Sequence, residues 1–233
     1  MKDLFGKAIY DYFSGNYTEN LKTETDISEQ DELPLSYLFR TYQQMPFLEK
    51  KALDMASGKI LDVGCGAGSH SVYLQEKNMD VIAIDISPKA IEVCKLRGIK
   101  NAINQDIMQV KGKFDTILLL MNGAGICGRL RYLDIFLQKL KSLLNENGQI
   151  LTDSSDIIYM FDQNEDGSYD IPLLHDYRGE VNYIIRYKNQ EEAAFPWMYI
   201  DFNTLQNATI ANGMTCELIF EGEHFDYLAR ITK

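Results

Sequence analysis

The chain has 233 residues, of which 34 are acidic and 23 basic, giving a formal net charge of −11 at pH 7. That balance argues against sequence-independent binding to nucleic acid or to an anionic membrane surface, both of which need clustered lysine and arginine. With 45% hydrophobic residues, 5 prolines and 16 glycines, the composition is that of a folded globular chain rather than a disordered or fibrous one. The length suits a single α/β domain, residues 1–233, carrying an elaboration. No run approaches the ~20 apolar residues of a membrane span, and the N-terminal residues lack the apolar core of a secretory signal, so a cytoplasmic location is expected. Cys65, Cys94, Cys127 and Cys216 are widely spaced and form no zinc-like pattern. Reduced thiols and no metal are expected.

Residues 1–58 read as a helical cover with no strand signal, and the acidic stretch Glu24 to Glu32 within them as a loop. From residue 59 to 155, strand and helix signals alternate. Ile60-Leu61-Asp62-Val63 is a strand running into a glycine turn, and a helix follows from Ser69 to Lys77. Val81 to Asp85 is a continuous β-rich run, as expected for a strand buried on both faces. Ser87 then caps a helix whose first position is Pro88, where the missing N–H costs nothing, and Gly98 closes it. A short strand covers Ala102 to Asp106. Phe114 to Met121 is the most apolar run and reads as a central strand, followed by a glycine-rich loop and a helix from about Leu130 to Leu144. On that helix Leu133, Phe136, Leu137, Leu140, Leu143 and Leu144 share one face. Asn147-Gly148 turns the chain into a fifth strand, Gln149 to Asp153. Such alternation implies a parallel sheet with right-handed crossovers, the doubly wound class.

Beyond residue 178 the pattern changes. Val181, Tyr183, Ile185 and Tyr187 alternate with their neighbours, and a second run spans Phe195 to Ile200, which together read as a hairpin inserted over residues 170–202. Residues 203–233 supply a helix from Thr204 to Ala211 and two final strands, Thr215 to Glu221 and Phe225 to Thr232. Strands joined so closely must be antiparallel. The expected sheet has seven strands, mostly parallel, ending in that antiparallel pair.

The decisive segment is Leu61-Asp62-Val63-Gly64-Cys65-Gly66-Ala67-Gly68. A dinucleotide fingerprint has its third glycine one position later and receives a diphosphate at the helix N-terminus. Here Asp62 precedes the loop, and a carboxylate there suits a cationic ligand better than a diphosphate. The pattern Asp-x-Gly-x-Gly-x-Gly resembles the first motif of the class I S-adenosylmethionine-dependent methyltransferases, and the resemblance continues at the right intervals. It implies that Asp62, Gly64, Cys65, Gly66 and Gly68 border the donor and that Asp85 accepts both ribose hydroxyls, with Ile86 beside the adenine. By the same resemblance Asp106 reads the adenine amino group with Ile107 at its backbone, and Met121 and Asn122 meet the donor's methionine part. Ligands of open parallel sheets bind outside the carboxyl ends of the strands, and Gly64, Asp85, Asp106 and Asn122 all fall on that edge. Helix capping for Asp85 and turn initiation for Asp106 remain the alternative roles.

Arg40 is a further candidate, since a guanidinium suits the donor's carboxylate. His70 lies on the first turn of the helix after the glycine loop. Asn122, Gly123, His175, Trp197 and Tyr199 are the candidate acceptor-binding residues, the last three in or beside the insertion. Cys65 and Cys127 lack a base partner and read as small packing residues. The family resemblance implies S-adenosylmethionine as cofactor and S-adenosylhomocysteine as product, with methyl transfer by in-line displacement. A small-molecule acceptor is expected, and neither nucleic acid nor membrane as partner. A base is needed if the acceptor is a hydroxyl or protonated amine; Asn122, Asp153, His175 and Tyr199 are the available helpers, and the sequence singles out none as catalyst. Methylation of protein or nucleic acid, a nicotinamide-dependent oxidoreductase and a non-catalytic donor-binding module stand as the alternatives. The exposed strand edges of the hairpin offer a surface for a homodimer.

Overall fold

The computed structural model describes residues 2–172 and 174–233; Met1, within the expected cover, and Leu173, within the expected insertion, lie outside the described residues. From the N-terminus the chain forms α1 (Leu4–Phe13), β1 (Leu21–Thr25), β2 (Ser28–Leu33), two 3-10 turns and α2 (Phe47–Met55). The alternating half follows as β3 (Lys59–Val63), α3 (Ser69–Glu76), β4 (Asp80–Asp85), α4 (Pro88–Leu96), β5 (Ala102–Asn104), β6 (Phe114–Leu119), α5 (Leu133–Leu143) and β7 (Leu144–Ser155). The remainder comprises β8 (Asp162–Gln163), β9 (Tyr169–Asp170), β10 (Glu180–Tyr187), β11 (Gln190–Glu191), β12 (Phe195–Met198), α6 (Phe202–Ala211), β13 (Thr215–Glu221) and β14 (Asp226–Thr232).

Seven strands form the main sheet in the order β13-β14-β7-β6-β3-β4-β5. The five strands from β7 to β5 run parallel, and β14 and β13 run antiparallel at one end, as the sequence predicts. Both faces of the central strands are apolar because both are covered. On one face Leu61, Ile117 and Ile150 pack against α5 and α6 through Phe136, Leu137, Leu140 and Leu205. On the other, Ile60, Leu118, Leu151 and Leu228 meet Leu48, Ala52 and Leu53 of α2 and Leu74 of α3. Each fully buried leucine or isoleucine here contributes roughly 1.5–3 kcal/mol. β7 is longer than the sequence suggests, because Leu144 already pairs with Phe114 before a register shift leads to Gln149 opposite Thr116.

The N-terminal cover differs from expectation. It is helical at α1 and α2, but it also holds strands where none was expected: the stretch expected as a loop is the hairpin β1–β2, whose first strand pairs antiparallel with β10, Thr25 opposite Tyr183 and Lys22 opposite Arg186. A second sheet therefore runs β11-β10-β1-β2, with β12 also on β10, so the inserted hairpin and the N-terminal segment make one layer. The strands escape hydrophobic patterning because neither face of β2 is buried: Glu29, Gln30, Asp31 and Glu32 are all exposed. Tertiary pairing overrides local propensity here. Leu21, Ile185 and Tyr187 of this sheet join Leu4, Ala8 and Ile9 of α1 and Ala90 and Val93 of α4 in a third core, which brings α1 over the edge where β3 and β4 end.

Candidate active site

The chain leaves β3 through three glycines in left-handed conformation, with φ of 70° at Gly64, 53° at Gly66 and 80° at Gly68. Only glycine adopts such a series without strain. The amides of Gly64 and Cys65 both donate to the Ile84 carbonyl, at 2.9 and 3.0 Å, locking the loop to β4. Asp85, ending β4, accepts from the Gly66 amide at 2.9 Å and the Ser87 amide at 2.8 Å. It thus braces the loop and fixes Ser87, whose own side chain caps α4 by accepting from the Ala90 amide at 3.0 Å. The three glycines face different surroundings. A Cβ on Gly68 would lie 2.4 Å from Ile99 Cδ1 and 2.9 Å from Cys94 Sγ, whereas one on Gly66 would meet nothing nearer than Phe5 Cε1 at 3.9 Å. Gly66 therefore faces Phe5 of α1 across a groove only wide enough to take a Cβ without a clash. Cys65 does not: its thiol is buried 3.7 Å from that of Cys94, so its side chain takes no part in the groove.

Ile86, 57% exposed, and Met108 follow the ends of β4 and β5 with their apolar side chains left to solvent. Asp106 is exposed and accepts from the Met108 amide at 2.8 Å, the turn-initiating role, while the Ile107 side chain is buried in the core. At the end of β6, Met121 and Asn122 are non-glycine residues with φ of 60° and 58°. Strain of that kind persists only where surroundings over-determine it. Here the Asn122 amide donates to both oxygens of Asp153 at 3.2 and 3.1 Å, its side-chain nitrogen donates to the Met198 carbonyl at 3.3 Å, and Ser154 Oγ donates to its Oδ1 at 2.6 Å.

Under the cover lies a buried charge group that the sequence reading missed. Glu49 of α2, only 4% exposed, accepts from Arg40 Nη2 and from His70 Nε2 at 2.6 Å. Arg40 also donates to the Tyr37 carbonyl and stacks on the Tyr37 ring with its guanidinium carbon 3.8 Å from the centroid. Its Nε has no partner among the described residues. Burial alone would raise the Glu49 carboxyl, but the His70 hydrogen bond and the charges of His70 and Arg40 hold it below the ordinary value. Burial would lower His70, yet its bond to Glu49 and the nearby Asp62 and Glu49 charges raise it. Asp62, accepting from Ser71 Oγ at 2.6 Å, is pushed up by burial, and so is Asp85 against the amides of Ser87 and Gly66. Glu49 had one readable signal: in Leu48-Glu49-x-x-Ala52-Leu53 it occupies an apolar position of the helix stripe.

The acceptor-side candidates separate. Trp197 packs on the loop after β6, where a Cβ on Gly125 would come within 2.2 Å of its Nε1, and Gly123 is buried with the space of its missing side chain 3.0 Å from Leu119. Tyr199 shares a 2.9 Å hydroxyl contact with Tyr183, and both line a cleft of about 280 Å³ with Thr23, Ile27, Met160 and Val181. His175 goes elsewhere. Its Nε2 is tied to Asp26 at 2.7 Å, at the β1–β2 turn, where Asp26 also accepts from the Asn182 amide.

The glycine loop and the buried Asp85 stand at the carboxyl ends of β3 and β4, the edge where open α/β sheets bind their ligands. A family model described as "Methyltransferase domain" matches residues 54–191. The crystal structure of a SAM-dependent methyltransferase from Bacteroides fragilis, in complex with S-adenosyl-L-homocysteine, is 46% identical, covers 99% of this chain and 94% of its own, and superposes with a TM-score of 0.92. This chain belongs to the S-adenosylmethionine-dependent methyltransferase family. A ubiquinone biosynthesis O-methyltransferase from Pelagibacter ubique is 34% identical over 97 residues, and the match spans 39% of each chain, so this chain covers about two fifths of that curated relative's length. The CcbJ methyltransferase from Streptomyces caelestis, at 12% identity and TM-score 0.59 over 82% of this chain and 94% of its own, shares the fold. Among the described residues no helix is long and apolar enough to cross a membrane.

Proposed function

We propose that the chain transfers a methyl group from S-adenosylmethionine to a small-molecule acceptor and releases S-adenosylhomocysteine. The observation that carries this reading is the left-handed glycine loop after β3, tied to Asp85 through the Gly66 amide, with the exposed Ile86 and Met108 following the ends of β4 and β5, which fits a nucleoside with its ribose on a carboxylate and its base on apolar side chains. When bound, the donor supplies a methyl group on a positively charged sulfur. Three carboxylates destabilised by burial, Asp62, Asp85 and Asp153, face one sheet edge and favour such a cation over a diphosphate. In this reading Gly64, Gly66 and Gly68 cradle the donor, Asp85 and Asp106 with Ile86 and Ile107 hold the nucleoside, and Met121 and Asn122 stand at its methionine end. Arg40, whose Nη atoms are committed to Glu49 and Tyr37, keeps a buried Nε for the donor's carboxylate. Trp197 and Tyr199 form the acceptor wall, with His175 acting through Asp26 on its outer edge. The layer built by the cover and the insertion encloses the acceptor and keeps water out, which suits a small molecule such as the quinone precursors of the curated relatives. Four free cysteines fit a reducing, cytoplasmic setting.

Thermal unfolding with S-adenosylmethionine, S-adenosylhomocysteine and NADH tests the reading. At a hundred times its dissociation constant a ligand adds about 2.7 kcal/mol. Stabilisation by both sulfur compounds and not by NADH is expected; the reverse pattern refutes the donor. Asp85→Ala lowers S-adenosylhomocysteine affinity by about 1.5–3 kcal/mol, the scale of hydrogen bonds to a charged group. Calorimetric affinity within twofold of wild type, in a variant that still melts cooperatively, contradicts the ribose assignment.

A further inference from the structure

The methyl-transfer reading leaves unnamed the group that receives the acceptor's proton, and the inference here rests on that reading. Asp153 lies near the carboxyl end of β7, adjacent to the end of β6, and shares its sheet face with Leu151, under α2 and α3. Both of its oxygens rely on one donor, the Asn122 amide, and among the described residues no other residue donates to it. A carboxylate has room for about four hydrogen bonds. Asp153 is therefore underused by the fold while being held in place by Asn122, whose left-handed backbone is fixed through Ser154 and Met198. The other helpers are committed: His175 to Asp26 and Tyr199 to Tyr183.

We propose that Asp153 is the catalytic base of the transfer. The acceptor's oxygen or nitrogen lone pair forms the new bond to the methyl carbon, the carbon–sulfur bond breaks with its electrons passing to sulfur, and the acceptor's proton moves to an Asp153 carboxylate oxygen and thence to water. The charged and titratable groups around Asp153 are Glu49 on α2, His70 on α3, Tyr37 in the 3-10 turn before α2 and Tyr227 on β14. Burial raises the carboxyl to about 7; the Glu49 charge adds to the rise, against the Asn122 amide and His70, which lower it. That value suits proton exchange at neutral pH.

Calorimetry with two probes reads the position and titration of this carboxylate without turnover. Sinefungin carries an amine on carbon where the donor carries its methyl-bearing sulfur, and S-adenosylhomocysteine carries neither charge nor methyl there. In wild type the preference for sinefungin grows about tenfold as pH rises through 7 and Asp153 loses its proton. In Asp153→Asn that preference no longer changes with pH, while S-adenosylhomocysteine binds within about threefold of wild type. With an acceptor found in a panel of phenols and primary amines, Asp153→Asn lowers kcat by about 10²–10⁴. A wild-type preference independent of pH, a variant that keeps the titration, or a variant with full kcat overturns the assignment. Failure of wild type to bind S-adenosylhomocysteine overturns the methyl-transfer reading itself.

Discussion

Replacing Glu49 by alanine lowers the unfolding free energy by about 3–5 kcal/mol, because it leaves a buried guanidinium without its counter-ion. Arg40 and Glu49 have side chains only 5% exposed, and His70 completes the group at 9%. Among the described residues neither Arg40 nor His70 has another carboxylate in contact, so the loss is not shared out. Urea unfolding measures it, with the exposed Glu146→Ala as control, which shifts stability by no more than about 0.5 kcal/mol. A Glu49→Ala deficit below about 1 kcal/mol refutes the account. The pH dependence follows from the signs. Glu49 is held below its ordinary value, so its contribution is present above the unfolded carboxylate value and is lost as pH falls through the folded one. His70 is raised, so its contribution is complete below the unfolded imidazole value of about 6.5 and is lost as pH rises through the folded one. The wild-type advantage over Glu49→Ala is therefore greatest between those limits and shrinks on both sides.

Gly66→Val abolishes measurable donor binding, lowering S-adenosylhomocysteine affinity at least about a hundredfold, or roughly 2.7 kcal/mol. A Cβ there meets Phe5 of α1 at an ordinary contact distance of 3.9 Å and no residue of the sheet core. The fold pays only for a β-branched residue at φ 53°, about 1–2 kcal/mol. Far-UV circular dichroism thus stays near wild type. Gly68→Val behaves differently, since its side chain collides with Ile99 and Cys94 in the core; it loses stability along with binding. Normal affinity in a folded Gly66→Val variant rules out a donor over this loop.

What the sequence discloses tracks burial. Strands β3 to β7 are sandwiched between helices, so their apolar runs and capping residues announce them, and the glycine loop does so through its spacing. Strand β2 carries Glu29, Asp31 and Glu32 to solvent and gains its pairing only from β1, itself held by a strand more than 150 residues later, and no local pattern encodes that. The same holds at the site. Gly64, Asp85 and Asn122 are readable because strand ends converge, whereas Arg40, Glu49 and His70 lie on three separate segments, and their union, though each carries a signal of its own, is visible only once those segments are packed. His175 illustrates the converse: its proximity to the insertion in sequence says nothing of the Asp26 carboxylate that claims it.

The second sheet carries an evolutionary and engineering corollary. Because β1 is hydrogen-bonded along β10, and Glu192 accepts the backbone amides of Lys2, Asp3 and Leu4, the N-terminal segment and the late insertion form a single transplantable cassette. A chimera that imports a new insertion from a relative while keeping the native N-terminus breaks the register of that shared ladder. One that imports both pieces together preserves it, so these two stretches, distant in sequence, must change in step.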